Sequence, residues 1–280
     1  MTQKEGWKYS PREYGEMKRR EMQELYKQME ETTKAVLGDD ETFAAFLRLQ
    51  SEIDTMSVGN LLLIFGRNPN AREVRTFEGW SKDEIQINKG EKGIAVLQPY
   101  TFLKNGEEKR TYRVKKVFDV SQTAAQEISH EKSEVTKSEM LDRLVAHAGA
   151  EIEACDESSL SDETVRFCPE AGKIYVQKGL GVNEFLNGLV KEIAHAKLYA
   201  GGQGTTREEN EFAAECITYM LCGQMGPENM QEKICVPAGL KELEPKDARK
   251  EIARAGMTFH QMKQEVMTTE KRKECDRGAR

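Results

Sequence analysis

Residues 189–198 read LVKEIAHAKL, and this stretch decides how the second half of the chain is to be understood. Leu186, Leu189, Val190, Ile193, Ala194 and Leu198 recur at three- and four-residue spacings, which predicts a helix from about Asn183 to Ala200 with one buried stripe. Glu192 and His195 fall among these apolar positions, and a buried charge is costly unless it is paired or bound to a metal. A zinc helix is written H-E-x-x-H, because two imidazoles one turn apart face one ion while the intervening Glu activates its water. Here Lys191 stands where the first His would be. A protonated Lys has three donors and no lone pair, so it does not ligate zinc, and its charge opposes a neighbouring cation.

Working outward, "EENEFAAECITYMLC" predicts a second helix from Arg207 to Met225 that carries Glu211 and Glu215 on one face. A His on one helix and a carboxylate on the next can reach one ion, although a lone His on an apolar helix is more often a hydrogen-bonded core residue. "TVRFCPEAGKIYVQK" predicts a hairpin, residues 139–149 a helix, and "EPKDARKEIARAGMTFHQMKQEVM" a closing helix before a charged tail at 266–280. "KGLGVNEF" follows a strand as a dinucleotide loop would, but Glu184 fills the third glycine position. Gly179 and Gly181 are therefore expected in a turn, with Asn183 as helix cap.

At 280 residues the chain is of a size for two ordinary domains. With 38% hydrophobic and 32% charged residues, mean hydropathy −0.69 and no long apolar run, a membrane span is not expected. The N-terminus has no apolar core followed by a small-residue cleavage site, which places the expected location in the cytoplasm. Six cysteines lack any C-x-x-C pair and four histidines are dispersed, so reduced thiols and at most one metal site are expected. Residues 1–123 carry 21 basic against 20 acidic side chains, and residues 124–280 carry 21 against 28. The charge step, with a stretch at 124–138 that is poor in large apolar residues, predicts domains at 1–123 and 139–265 joined by a linker.

The first half opens with three predicted helices: Pro11 to Leu37, "GDDETFAAFLRLQSEI" with an Asp cap, and "SVGNLLLIFGRNPN", which Gly66, Asn68 and Pro69 end. "REVRTFEGW", "IQINKGEKGIAVLQPYTFL" and "EKRTYRVKKVFDVS" then read as strands of an antiparallel sheet, with Asn105-Gly106 as a hairpin turn. Single-strand binders combine aromatic faces with cations along a groove. Phe77, Trp80, Tyr100 and Tyr112 lie in sequence beside Arg67, Arg72, Arg75, Lys89, Lys92, Arg110, Arg113, Lys115 and Lys116. The same residues also suit a sheet core with a solvated outer face, and Trp80 after Gly79 suits a packing anchor as well as a base platform. "NKGEKG" lacks the P-loop pattern and is read as a turn displaying Lys89 and Lys92.

"MSVGNLLLIFGRNPNAREVRTFEGW", "INKGEKGIAVLQP" and "YRVKKVFDVSQT" together resemble the N-terminal single-stranded-DNA-binding domain of ArdC-like antirestriction proteins over roughly residues 40–123. "EIAHA" with "EFAAECITY" resembles the zincin-type C-terminal domain of the same family. The resemblance implies an α+β fold in two domains, a helical and antiparallel-sheet DNA-binding module and a mostly helical zincin-like module. It implies sequence-independent binding of single-stranded DNA for an antirestriction role on a mobile element, with DNA contacts expected from Arg67, Arg75, Trp80, Lys89, Lys92, Arg113, Lys115 and Lys116. It matches Glu192 to the catalytic Glu, His195 to the second zinc ligand and Glu215 to the third, while Lys191 replaces the first. A decayed metallopeptidase module is therefore expected, with no cofactor or only weakly held zinc, and with Lys191 paired to Glu211 or Glu215. The alternative is an active zinc metallopeptidase of atypical ligation with Glu192 as general base. A third reading is an interaction protein whose acidic second domain binds a host factor.

Overall fold

A computed structural model describes residues 10–125, 136–156, 163–202, 206–226 and 233–267, an α+β chain. The described residues form two compact units, one of residues up to 125 with 235–253, the other of residues 136–234 with 254–267. Among them no helix is long and apolar enough to cross a membrane.

The first unit begins with helices α1 (Pro11–Gly38), α2 (Asp40–Glu52) and α3 (Val58–Phe65). Each has the side-chain cap that its sequence offers: Ser10, Asp39 and Ser57 accept from the backbone N–H of Glu13, Thr42 and Asn60. Strand β1 (Val74–Thr76), helix α4 (Phe77–Lys82), and strands β2 (Ile94–Lys104) and β3 (Glu107–Asp119) follow, with sheet order β1-β3-β2. β2 is thus an edge, and at its buried position the edge is closed by Asn60. The Asn60 side chain accepts from Leu97 N (2.8 Å) and donates to Leu97 O (2.9 Å), standing in for a neighbouring strand. The other end of the sheet is held by Asp119, which is buried and accepts from the backbone N–H of Arg72 (2.8 Å), Glu73 (3.2 Å) and Ser121 (3.0 Å).

β1 pairs with β3 only opposite Val117–Asp119, so beyond that point β2 and β3 continue as a two-stranded ribbon. It turns at Asn105 and Gly106, whose φ values of 56° and 81° match the both-positive requirement of a type I′ turn. Gly93 is needed for a different reason: a Cβ there would lie 2.8 Å from the Phe118 ring. The expected strand through "REVRTFEGW" is only three residues long. Thr76 caps a helix instead, accepting from Gly79 N, and α4 turns Trp80 into the core. Residues 85–93 likewise form no named strand, only a bridge from Ile87 to Thr123.

The second unit contains α5 (Lys137–Ala146), β4 (Glu151–Cys155), β5 (Val165–Cys168), β6 (Lys173–Gln177), α6 (Val182–Ala200) and α7 (Arg207–Met225). β5 and β6 are the expected hairpin. β4 joins them in parallel to give the order β4-β6-β5; its acidic EIEAC sequence carries little strand signal. α6 is capped by Gly181 without a side-chain bond, so Asn183 lies inside the first turn and is not the cap. α7 starts from a capping box between Thr206 and Glu209.

Helices α8 (Ala238–Lys241) and α9 (Pro245–Met267) complete the described chain. Composition placed all of 139–265 in one domain, but residues 235–253 group with the first unit. Val236 N donates to Asp40 Oδ1 (2.9 Å) and Arg249 Nη1 donates to Thr33 Oγ1 (3.3 Å). A charge step marks where a chain leaves a domain and carries no record of where it returns. Of the expected linker and tail, residues 126–135 and 268–280 lie outside the described residues.

Candidate functional site

Glu192, on the buried face of α6, has 1% of its surface exposed. Its Oε2 accepts from the backbone N–H of Phe167 on β5 (2.7 Å) and from Arg207 Nη1 (2.8 Å), and its Oε1 accepts from Arg207 Nη2 (2.8 Å). Arg207 opens α7, so one carboxylate ties a strand and two helices together. β5 is an edge strand, and Phe167 N is an edge donor that would otherwise be buried unpaired. Arg207 also donates to Glu163 (2.9 Å), which accepts in turn from Arg166 (2.8 Å). The bidentate carboxylate holds the Arg207 guanidinium above its ordinary basicity. A carboxylate has about four acceptor positions, and three of those on Glu192 are taken by protein donors.

One residue away, Lys191 Nζ forms a close ion pair with Glu211 on α7 and lies 4.0 Å from Glu215. His195, nearly buried, donates from Nε2 to the other oxygen of Glu211 (3.1 Å). Glu211 is therefore shared between an imidazole and an ammonium, and its carboxyl is pulled from the ordinary 4.5 down to about 2, chiefly by the His195 bond, with Lys191 adding to it. Glu215 moves the other way: burial raises it, only partly opposed by Lys191.

These residues do not fit a zinc ion. The Lys191 ammonium already sits on Glu211, the carboxylate nearest the His195 imidazole, so an ion there would have to displace or face a fixed positive charge. The acid that bonds to His195 is Glu211; the expected ligand Glu215 lies 4.0 Å from Lys191 and feels His195 only through its charge. Among the described residues no three His, Cys, Asp or Glu side chains are grouped to hold a metal. A pocket of about 480 Å³ opens beside this cluster, lined by His195, Tyr199, Arg207 and Asn210 with the β5 edge at Phe167.

In the first unit the expected DNA contacts separate into two groups. Trp80 is fully buried, donates from Nε1 to Phe118 O (2.9 Å) and lies under the Arg75 guanidinium at 4.8 Å, so it is a core anchor and offers no face to a base. Arg75 is held by Glu73 (2.6 Å) and by a close pair with Asp83, so its charge is already matched by two carboxylates. Lys115 is half-buried, 4.0 Å from Glu78. By contrast, Arg67, Lys89, Lys92 and Lys116 are exposed. Arg67 and Lys92 line one shallow pocket of about 380 Å³ with Asn68, Gly90 and Gln122; Glu91 at its rim is held by Gln122 (2.7 Å). Arg113 lies on the ribbon, 5.5 Å over the ring of Tyr100, which stacks on Phe102. Phe102 and Lys109 were absent from the expected set. The turn at Asn105-Gly106 holds the signal, since counting outward from it pairs Phe102 with Lys109.

Residues 15–146 match the family model described as the N-terminal domain of anti-restriction factor ArdC. The match begins within α1 and ends with α5, wider than the 40–123 that carries the quoted motifs. Two crystal structures of the antirestriction protein ArdC from the R388 plasmid align with the chain. The metal-free form is 19% identical with a TM-score of 0.48, over 75% of this chain and 84% of that one. The Mn(II)-bound form is 18% identical with a TM-score of 0.47, over 74% and 86%. No curated protein matches the chain.

Two outcomes follow from the geometry of the second unit. Arg207→Ala should cost about 3–5 kcal/mol, because it leaves Glu192 charged and buried, and Glu192→Ala should cost less, because Arg207 is half-buried and keeps its bond to Glu163. Glu192→Met with Arg207→Leu should recover most of that in urea unfolding, and strictly additive losses would contradict a shared clasp. Glu211, with its folded value below its unfolded one, stabilises above about pH 4.5, and that contribution is lost as pH falls toward 2. The stability gap between the natural chain and Glu211→Gln should therefore narrow over that window, by a modest amount since a side chain 37% exposed is screened. Glu215, raised by burial, acts in the opposite sense above 4.5.

Proposed function

We propose that this chain, ArdC-like by the match over residues 15–146, binds single-stranded DNA without sequence preference. It would act as an antirestriction factor, shielding DNA of a mobile element in the cytoplasm of its host. The family match carries the reading, and the exposed cations Arg67, Lys89, Lys92 and Lys116 support it chemically. A net charge of −6 opposes long-range attraction to DNA, so binding depends on such a local group. Phosphate contacts of this kind position a strand and read no bases.

In the same reading the zincin-like module, residues 139–265 by sequence, is a decayed metallopeptidase. Two observations favour decay over atypical ligation. Lys191 supplies, as a covalently held ammonium, part of the positive charge that an ion would bring to Glu211. Glu192, the residue that would serve as general base, is committed to Arg207 and the β5 edge. The module then serves as a structural body or as a surface for a host protein.

Anisotropy titrations of the full chain with labelled oligothymidine and a matched duplex test the first part. Single strands should bind more tightly, with a log–log salt slope that Lys89→Glu plus Lys92→Glu reduces by about 1.4, or about 0.7 for each phosphate no longer neutralised. Equal affinity for both forms, or no binding at low salt, would sink the reading. For the second part, Lys191→His should take up about one equivalent of Zn²⁺ in a metal assay after dialysis, while the natural chain takes up none. Stoichiometric zinc in the natural chain would restore the peptidase reading.

A further inference from the structure

The ribbon of β2 and β3 has a surface composition that its packing does not explain. Outward from Pro99, and back to Arg113 on the return strand, every described side chain is exposed except Phe102, which is half-buried. Leu103 is 75% and Tyr112 51% exposed, in an element with no third strand at this level. A two-stranded ribbon in water gains little from displaying such residues. Residues 98–116 also hold six basic side chains against two acidic ones, in a chain that is acidic as a whole.

The pairing register sorts these residues by face. Gln98, Tyr100 and Phe102 lie opposite Arg113, Thr111 and Lys109, and cross-strand partners share a face. On that face the Tyr100 and Phe102 rings are parallel within 9° at 5.9 Å between centroids. The Arg113 guanidinium lies 5.5 Å from the Tyr100 centroid and is oriented by donating from Nε to Gln98 (3.0 Å). Lys109 has only a 3.8 Å contact with exposed Glu107. The opposite face, with Pro99, Thr101, Leu103, Glu108, Arg110 and Tyr112, has one aromatic ring and no stacked pair.

We infer that Gln98, Tyr100, Phe102, Lys109 and Arg113 form a base-stacking platform, the element that makes this chain prefer single-stranded over duplex DNA. The inference rests on the single-strand reading above and deepens it. Planar groups spaced along a strand accept bases of any sequence, because every base has a π-face, while Lys109 and Arg113 meet the phosphates. Bases in a duplex are already stacked on one another and cannot use it. The cations near Arg67 and Lys92 would serve both forms of DNA, and the platform only one.

The test is the same anisotropy titration of the full chain, with Tyr100→Leu plus Phe102→Leu. Leucine keeps the apolar character and strand setting but has no π-face, and an unchanged thermal midpoint checks the fold. Affinity for oligothymidine should fall about tenfold to a hundredfold. Duplex affinity and the salt slope should not change, since no charge is removed. Tyr112→Leu, on the other face, should bind as the natural chain does. Natural single-strand affinity in the double variant, or an equal loss in Tyr112→Leu, would overturn the platform while leaving single-strand binding intact. Absence of single-strand binding by the natural chain would remove both readings.

Discussion

A single buried carboxylate organises the second unit. Glu192 closes the exposed edge of β5 at Phe167 and grips both terminal nitrogens of Arg207. Its charge is tolerated in the interior only because the guanidinium matches it in sign, shape and donor count. Removing Arg207 would strand the Glu192 charge in the interior, so α6, α7 and β5 share one electrostatic condition. The consequence reaches chemistry: a carboxylate fixed by three donors holds a strand in place and is poorly set to accept a proton from water.

Next to it, the Lys191–Glu211–His195 group shows how a cation can be kept at a site by the chain itself. The ammonium and the imidazole N–H both point at Glu211, whose carboxyl is held far below its ordinary value as a result. Glu215, one turn along α7, lacks that bonding and responds to burial instead. Two carboxylates on one helix face thus acquire opposite behaviour from a difference of a few ångströms in what they touch.

The first unit solves a different problem, an edge strand that cannot be left bare. Asn60 meets both backbone groups of Leu97, so β2 is sealed where it is buried and unsealed where it runs out into solvent. The exposed aromatic residues of the ribbon are confined to that outer length. Trp80 and Arg75, which read in sequence like members of the same set, are drawn into the core by Phe118, Glu73 and Asp83.

Much of the architecture was legible without coordinates. Apolar spacing and helix-forming composition marked α1, α2, α3, α6, α7 and α9, an Asp cap marked the start of α2, and Asn105-Gly106 marked the ribbon turn, because these features depend on contacts within a few residues. The sequence by itself also put Lys191 where a first His ligand would stand, and an ammonium that keeps its proton has no lone pair to offer a metal. Tertiary structure alone decided that Glu211 rather than Glu215 serves His195, that Arg207 neutralises Glu192, that residues 235–253 return to the first unit, and which cations remain exposed. Each of these depends on pairing between segments distant along the chain, where a small rotation changes the partner, and residue spacing carries no record of that.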